Sequence, residues 1–148
     1  MEGGFYRLWR QVELSVMQGR NLGSSNTETT GSHEERSEID VACEIHINDT
    51  LCGRTTVKRG SELTDWHEHF SFPGLPPFEN LKIMVWKDRK LSRRINLGST
   101  CIALCNFRRG DSVEGWFPVV RQIEALGVEN RIGDLRLKIR VDEYVISS

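Results

Sequence analysis

The sequence predicts an all-β fold, an eight-stranded antiparallel β-sandwich, and three observations carry that expectation. Apolar and polar residues alternate with period two along most of the chain, as they do in strands that bury one face. Turn signals built on Gly, Pro and Asn-Asp separate the runs. Eight runs follow one another without an internal repeat, which favours a sandwich over a helical or solenoid protein. At 148 residues, 38% of them apolar, the chain suits one domain with one core.

The first run alternates Val12, Leu14 and Val16 with Glu13, Ser15 and Met17, and Gly19 closes it. In the second, Val41, Cys43, Ile45 and Ile47 alternate with Ala42, Glu44, His46 and Asn48. Asn48-Asp49 is a turn signal, so residues from Cys52 to Val57 return as the third strand of a hairpin. A fourth run places Trp66, Glu68, Phe70 and Phe72 on one side and His67, His69 and Ser71 on the other, with Pro73 as its stop. Beyond the turn-rich 73–77 segment, Leu81, Ile83 and Val85 oppose Lys82, Met84 and Trp86. A sixth strand is expected from Ser99 to Leu104, and a short seventh one through Trp116 to Val119. The eighth alternates Leu135, Leu137, Ile139 and Val141 with Arg136, Lys138, Arg140 and Asp142. One short helix fits Arg121 to Leu126. The aromatics Trp66, Phe70, Phe72, Trp116 and Phe117 read as core, because period-two aromatics in a sandwich normally pack inward.

Residues 23–38, rich in Ser, Thr, Gly and Glu, hold almost nothing that could be buried and read as a long mobile loop within a single domain spanning 1–148. No apolar run approaches the roughly 18 residues that span a bilayer, and no charged segment followed by an apolar one opens the chain. A soluble, intracellular protein is expected. Cys43, Cys52, Cys101 and Cys105 show neither zinc-type pairing nor the density of a secreted disulfide scaffold, so they read as reduced thiols, with Cys101 and Cys105 as small core residues. The formal net charge of −1 argues against a nucleic-acid partner, because phosphate contacts need a basic surplus.

The order of these pieces resembles the C2 domain family over nearly the whole chain. Val12-Glu13-Leu14-Ser15-Val16 with Gly19 and Asn21-Leu22 is similar to the family's opening motif. Trp66-His67-Glu68-His69-Phe70-Ser71-Phe72, then Leu75-Pro76 and Leu81-Lys82-Ile83-Met84-Val85, is the most specific part. Leu97-Gly98, Ile102 with Leu104, and Glu114-Gly115-Trp116-Phe117-Pro118-Val119 follow in family order. A strand after the Trp-Phe-Pro segment, residues 133–141, resembles the permuted arrangement called type II topology. Arg54-Thr55-Thr56 with Lys58, Trp86-Lys87-Asp88-Arg89-Lys90, and a last strand running into Tyr144-Val145-Ile146 resemble the C2 domain that precedes the catalytic domain of Ras GTPase-activating proteins. The resemblance implies a fragment ending before that catalytic domain. It also implies a module that helps its neighbour approach a membrane-anchored GTPase of the Ras or Rap type.

A C2-type calcium site needs several loop carboxylates, since calcium takes roughly six to eight oxygen ligands. The first loop offers Glu28, Glu34, Glu35 and Glu38 with no Asp before Asp40, and the third offers Asp88 alone among cations. Calcium-independent behaviour is expected, with no metal ligands and no cofactor.

Lys87, Arg89, Lys90, Arg93 and Arg94 put five cations into eight residues, with Leu91 interleaved as an apolar anchor. A cation near an anionic membrane gains roughly 1 kcal/mol, so five suffice for weak, reversible contact. A second cluster, Arg54, Lys58 and Arg59, lies on or after the third strand, where many C2 domains carry a basic concave face; a phosphoinositide headgroup fits there. Anionic phospholipid at the inner face of the plasma membrane is the expected partner. The alternative is a scaffold that touches a small GTPase directly without lipid, and the plainer reading is solvated surface charge. An enzyme is not expected: nothing in the spacing of the cysteines with His46, His67 and His69 builds a nucleophile and base, and no phosphate loop or serine elbow is present.

Overall fold

A computed structural model describes residues 6–22, 39–60, 62–75, 80–88, 93–123 and 127–147. These form β1 (Tyr6–Arg20), β2 (Ile39–Ile47), β3 (Thr50–Arg54), β4 (Lys58–Gly60), β5 (Leu63–Leu75), β6 (Asn80–Asp88), β7 (Ile95–Ala103), β8 (Asp111–Ile123) and β9 (Val128–Ser147). A 3-10 turn, Leu104–Asn106, follows β7.

Eight strands lie on one path, β3-β2-β6-β7-β8-β9-β1-β5, and β4 adds to β2. The β7–β8 junction consists of one pair, Ser99 opposite Val120. At that seam the path divides into two four-stranded antiparallel sheets, β3-β2-β6-β7 and β8-β9-β1-β5. The last strand inserts between β8 and β1, pairing with β1 from Tyr6/Ser147 to Arg20/Asp134. This is the type II arrangement expected from the strand that follows the Trp-Phe-Pro segment.

The core lies where the inward positions of the two sheets meet. Val12, Leu14 and Val16 of β1 and Leu135, Leu137, Ile139 and Val141 of β9 are fully buried with Cys43 and Ile45 of β2 and Leu81, Ile83 and Val85 of β6. Each such aliphatic side chain contributes about 1.5–3 kcal/mol relative to exposure. At one end of the core, buried Arg10 pairs with Glu143 at 3.0 Å and donates to the carbonyls of Leu104 and Phe107, which satisfies its charge and its donors together. On the open flank, Trp66 Nε1–H donates to the Thr56 carbonyl at 2.9 Å, and Glu68 accepts from the Thr56 backbone N–H.

Several boundaries differ from the sequence reading. The third strand, expected from Cys52 to Val57, runs over Thr50–Arg54 instead, and Lys58–Gly60 form a further short strand, β4; Pro73 does not end β5, because an edge strand can lack a donor on its free side. The seventh strand, expected to be short, is 13 residues long. Arg121–Ile123 extend it as a ribbon against Val128–Asn130, so these residues are strand and not helix; 124–126 lie outside the described residues. Cys101 and Cys105 are exposed: Thr100 and Ile102 take the inward positions of β7 on either side of Cys101, and Cys105 lies in the 3-10 turn, where Leu104 is the buried residue. Trp116 is half-buried on the outer face beneath Arg20 rather than in the core.

The register gathers the bases of four connections at one end. Arg20 lies opposite Leu63 and Asp134, Asp40 opposite Arg59 and Asp88, and Lys87 opposite Ile95. The Asn21 N–H donates to the Glu62 carbonyl at 3.0 Å, which ties the first connection to the β4–β5 turn.

Candidate functional site

Of the cationic residues singled out from the sequence, the described ones fall on this loop end and on the adjoining outer face of β2, β3 and β6. Lys87 is half-buried near the end of β6, and Arg93 and Arg94 are exposed just before β7. Arg89, Lys90 and Leu91 lie outside the described residues, as does the acidic stretch of residues 23–38. Arg54 ends β3, and Lys58 and Arg59 lie in β4, where Arg59 pairs with Asp40 at 3.3 Å.

Arg54 and Arg94, assigned by sequence to two separate clusters, converge on one carboxylate. Glu44 takes an outward position of β2, flanked by Arg54 on β3 and Met84 on β6. Its side chain is only 6% exposed. Arg94 Nη1 donates to Oε2 at 2.9 Å, and Arg54 Nε lies 3.2 Å from the same oxygen. Trp86 Nε1–H donates to Oε1 at 3.1 Å, and His46 Nε2 lies 3.3 Å from it. Arg94 also stacks over the Trp86 ring, its Cζ 4.5 Å from the centroid. Burial pushes the Glu44 carboxyl up, but the hydrogen bonds from Arg94 and His46 and the charges of Arg94 and Arg54 outweigh it and hold it below its ordinary range. Lys58, Lys87 and Arg93, by contrast, form no ion pair with the described residues.

Glu44 escaped the sequence reading, which placed it with Ala42, His46 and Asn48 opposite the apolar side of the second run. Its only signal was a period-two outward position two strands from a basic cluster, and such carboxylates are common.

The opposite sheet repeats the pattern. Asp134 has a side chain 5% exposed and accepts from Arg20 Nε at 3.0 Å and Arg131 Nη2 at 2.6 Å. Arg20 lies over Trp116 with Cζ 4.1 Å from the centroid. Each buried carboxylate thus fixes an arginine, stacked on a tryptophan, at the base of one loop.

The histidines do not converge. His67 lies 3.5 Å from Asp65, while His69 contacts Ser15 through Nδ1 at 3.0 Å and Glu13 through Nε2 at 2.6 Å. Hydrogen bonds from Gln11 and Ser71 lower the Glu13 carboxyl against the opposing effect of burial, and the hydrogen bond and charge of His69 add to the lowering. This Ser-His-Glu contact sits on an exposed sheet face. Among the described residues no group of three or more His, Cys, Asp or Glu side chains could hold a metal, and no helix is long and apolar enough to cross a membrane.

Two antiparallel sheets with the last strand between the eighth and the first, and a charged rim where the loops meet, define an all-β sandwich built to present surface. The chain belongs to the C2 domain family, whose model matches residues 10–119. It is similar to the human Ras GTPase-activating protein nGAP, with 33% identity over 81 residues, and to the Drosophila melanogaster Ras GTPase-activating protein raskol, with 30% identity over 82 residues. The matches cover 52% and 53% of this chain but 7% and 5% of those proteins, so it corresponds to a small part of each. In fold it is similar to a C2 domain of plant Extended Synaptotagmin 1, at a TM-score of 0.70 and 16% identity, with 93% of this chain and 98% of that one covered. Human GIVD cytosolic phospholipase A2 shares the fold at a TM-score of 0.68 and 12% identity, over 95% of this chain and 18% of that one. C2 domains are in general binding modules.

Proposed function

We propose that the chain acts as one calcium-independent C2 module that holds an anionic membrane surface and so positions a neighbouring GTPase-activating domain against a Ras- or Rap-type GTPase. The observation that carries this reading is the exposed cationic rim at one end of the sandwich, where Arg93 and Lys58 stand without ion-pair partners among the described residues beside the half-buried Lys87. Cations in that position gain roughly 1 kcal/mol each near anionic lipid, and an interaction of this kind weakens steeply with salt. The similarity to two Ras GTPase-activating proteins supports the neighbouring domain and the cytoplasmic, inner-membrane location. Arg89, Lys90 and Leu91 belong to the proposed contact by their place in the loop sequence.

Vesicle flotation tests the reading. The chain is expected to float with phosphatidylserine-containing vesicles at low salt and to stay behind with phosphatidylcholine alone. Neutralising Lys87, Arg89, Lys90, Arg93 and Arg94 together is expected to abolish flotation; unchanged flotation removes the loop from the mechanism. Contact with the GTPase that survives without lipid, and is lost in the same variant, would favour the direct protein reading instead.

A further inference from the structure

We propose that Glu44 is a built-in counter-anion that restrains the cationic face: it occupies Arg54 and Arg94 as a lipid phosphate would and thereby sets how much anionic charge a surface must carry to be bound. The inference rests on the membrane reading above and adds to it a residue that lowers affinity.

Three observations carry it. The Glu44 side chain is 6% exposed yet touches two guanidinium groups whose side chains remain 42% and 61% exposed, so the anion lies beneath the cations and not beside them. Every short contact to its oxygens comes from a donor or an imidazole, with Trp86 Nε1–H and Arg94 Nη1 at 3.1 and 2.9 Å. The tryptophan that donates to Glu44 is also the ring on which Arg94 stacks at 4.5 Å. Arg94 is therefore fixed twice, once through its charge and once through its plane.

The physical consequence is a charge ledger different from the sequence count. Arg54 and Arg94 share one carboxylate, so the pair presents about one net positive charge to an approaching surface. Arg93, one residue earlier and without an ion-pair partner among the described residues, presents its full charge. Glu44 also holds Arg94 at the foot of the β6–β7 connection, so it restrains the backbone there as well as the charge.

The test compares Glu44→Gln, Arg94→Ala, the double variant Glu44→Gln with Arg94→Ala, and the unaltered chain in binding to phosphatidylserine/phosphatidylcholine vesicles. Glu44→Gln keeps the shape and removes one negative charge, and is expected to bind about fivefold tighter, the equivalent of one added cation near the membrane. Arg94→Ala is expected to bind about fivefold more weakly than the unaltered chain, and the double variant, in which the lost carboxylate offsets the lost guanidinium, about as well as the unaltered chain. Tryptic cleavage after Arg93 and Arg94, measured without lipid, is expected to quicken in Glu44→Gln because the foot of the loop is released. A folded Glu44→Gln chain that binds no tighter, while the unaltered chain binds, overturns the inference alone. Absence of binding by both overturns the membrane reading and the inference together. If Glu44→Gln alone fails to fold, the double variant decides: binding no tighter than that of Arg94→Ala overturns the restraint.

Discussion

Arg20 Nε donates to Oδ2 of Asp134 at 3.0 Å, joining the last residue of β1 to a buried carboxylate of β9 directly across the register. Arg131 binds the same carboxylate from within β9. Burial alone would push this carboxyl up, yet the two guanidinium groups hold it below its ordinary range.

Asp134→Asn is therefore expected to cost about 2 kcal/mol of unfolding free energy. That is less than the 3–5 kcal/mol of a fully buried pair, because both arginines reach solvent. Urea denaturation checks the value, and a loss within 0.5 kcal/mol, the ordinary range of a surface substitution, would show that the pair is only superficial.

The same carboxylates set the acid limit of stability. Glu13, Glu44 and Asp134 are all lowered in the folded chain. A group with a lowered folded pKa binds its proton more readily when unfolded. Its contribution is therefore complete above the ordinary carboxylate range near pH 4 and is lost as pH falls through the folded values. Urea midpoints are expected to be flat from about pH 7 to pH 5 and to decline below about pH 4, with a shallower decline in Asp134→Asn. A midpoint that rises on acidification contradicts the assignment.

The alternation of Val12, Leu14, Val16 and of Leu135 through Val141 exposed the core directly, because period two is enforced by the pleat itself. The type II order was legible in the strand that follows Trp116-Phe117-Pro118. The convergence of Arg54 and Arg94 was not. Fifty residues separate Glu44 from Arg94, and only the β2–β6 register brings Glu44 and Trp86 to one face. Trp116 misled for a related reason: an outward aromatic under an arginine has the same sequence periodicity as an inward one.

Trp66→Phe removes one bond on the open flank and part of a buried ring. The smaller phenyl leaves some of the indole's space unfilled, and the hydrogen bond from Nε1 to the Thr56 carbonyl is gone. A loss of about 2 kcal/mol is expected in thermal or urea unfolding, about 1 of it from the bond. A loss above about 3 kcal/mol would mean that packing, and not the bond, dominates at this site.

Gly98 is where the two sheets are stitched. A Cβ there would lie 2.7 Å from the Val120 carbonyl oxygen, and the backbone sits at φ +155. The obstacle is backbone on a strand whose only described pairing with β7 is Ser99 to Val120, so relief requires the seam to open. Gly98→Ala is expected to destabilise the fold by about 2 kcal/mol or more, with the fastest added hydrogen exchange at the β7–β8 junction. Gly110→Ala, at a turn where a Cβ meets nothing within 4 Å, isolates the backbone effect of positive φ (+82) without a clash.

Calcium titration bears on the mechanism as a whole. Asp40 and Asp88 lie opposite each other across the β2–β6 register, near the base of the loops. Arg59 already pairs with Asp40 at 3.3 Å, and Lys87 and Arg93 stand close by in the chain. Two carboxylates supply at most four of the roughly six to eight oxygens that calcium takes, and neighbouring cations raise the cost of a divalent charge. Calorimetric titration is therefore expected to show no binding at micromolar to sub-millimolar calcium, and vesicle flotation is expected to be the same with calcium as with a chelator. Flotation that appears only with calcium would transfer the work of binding from the cationic rim to the loop carboxylates, and would require glutamates among residues 28–38 to act as ligands.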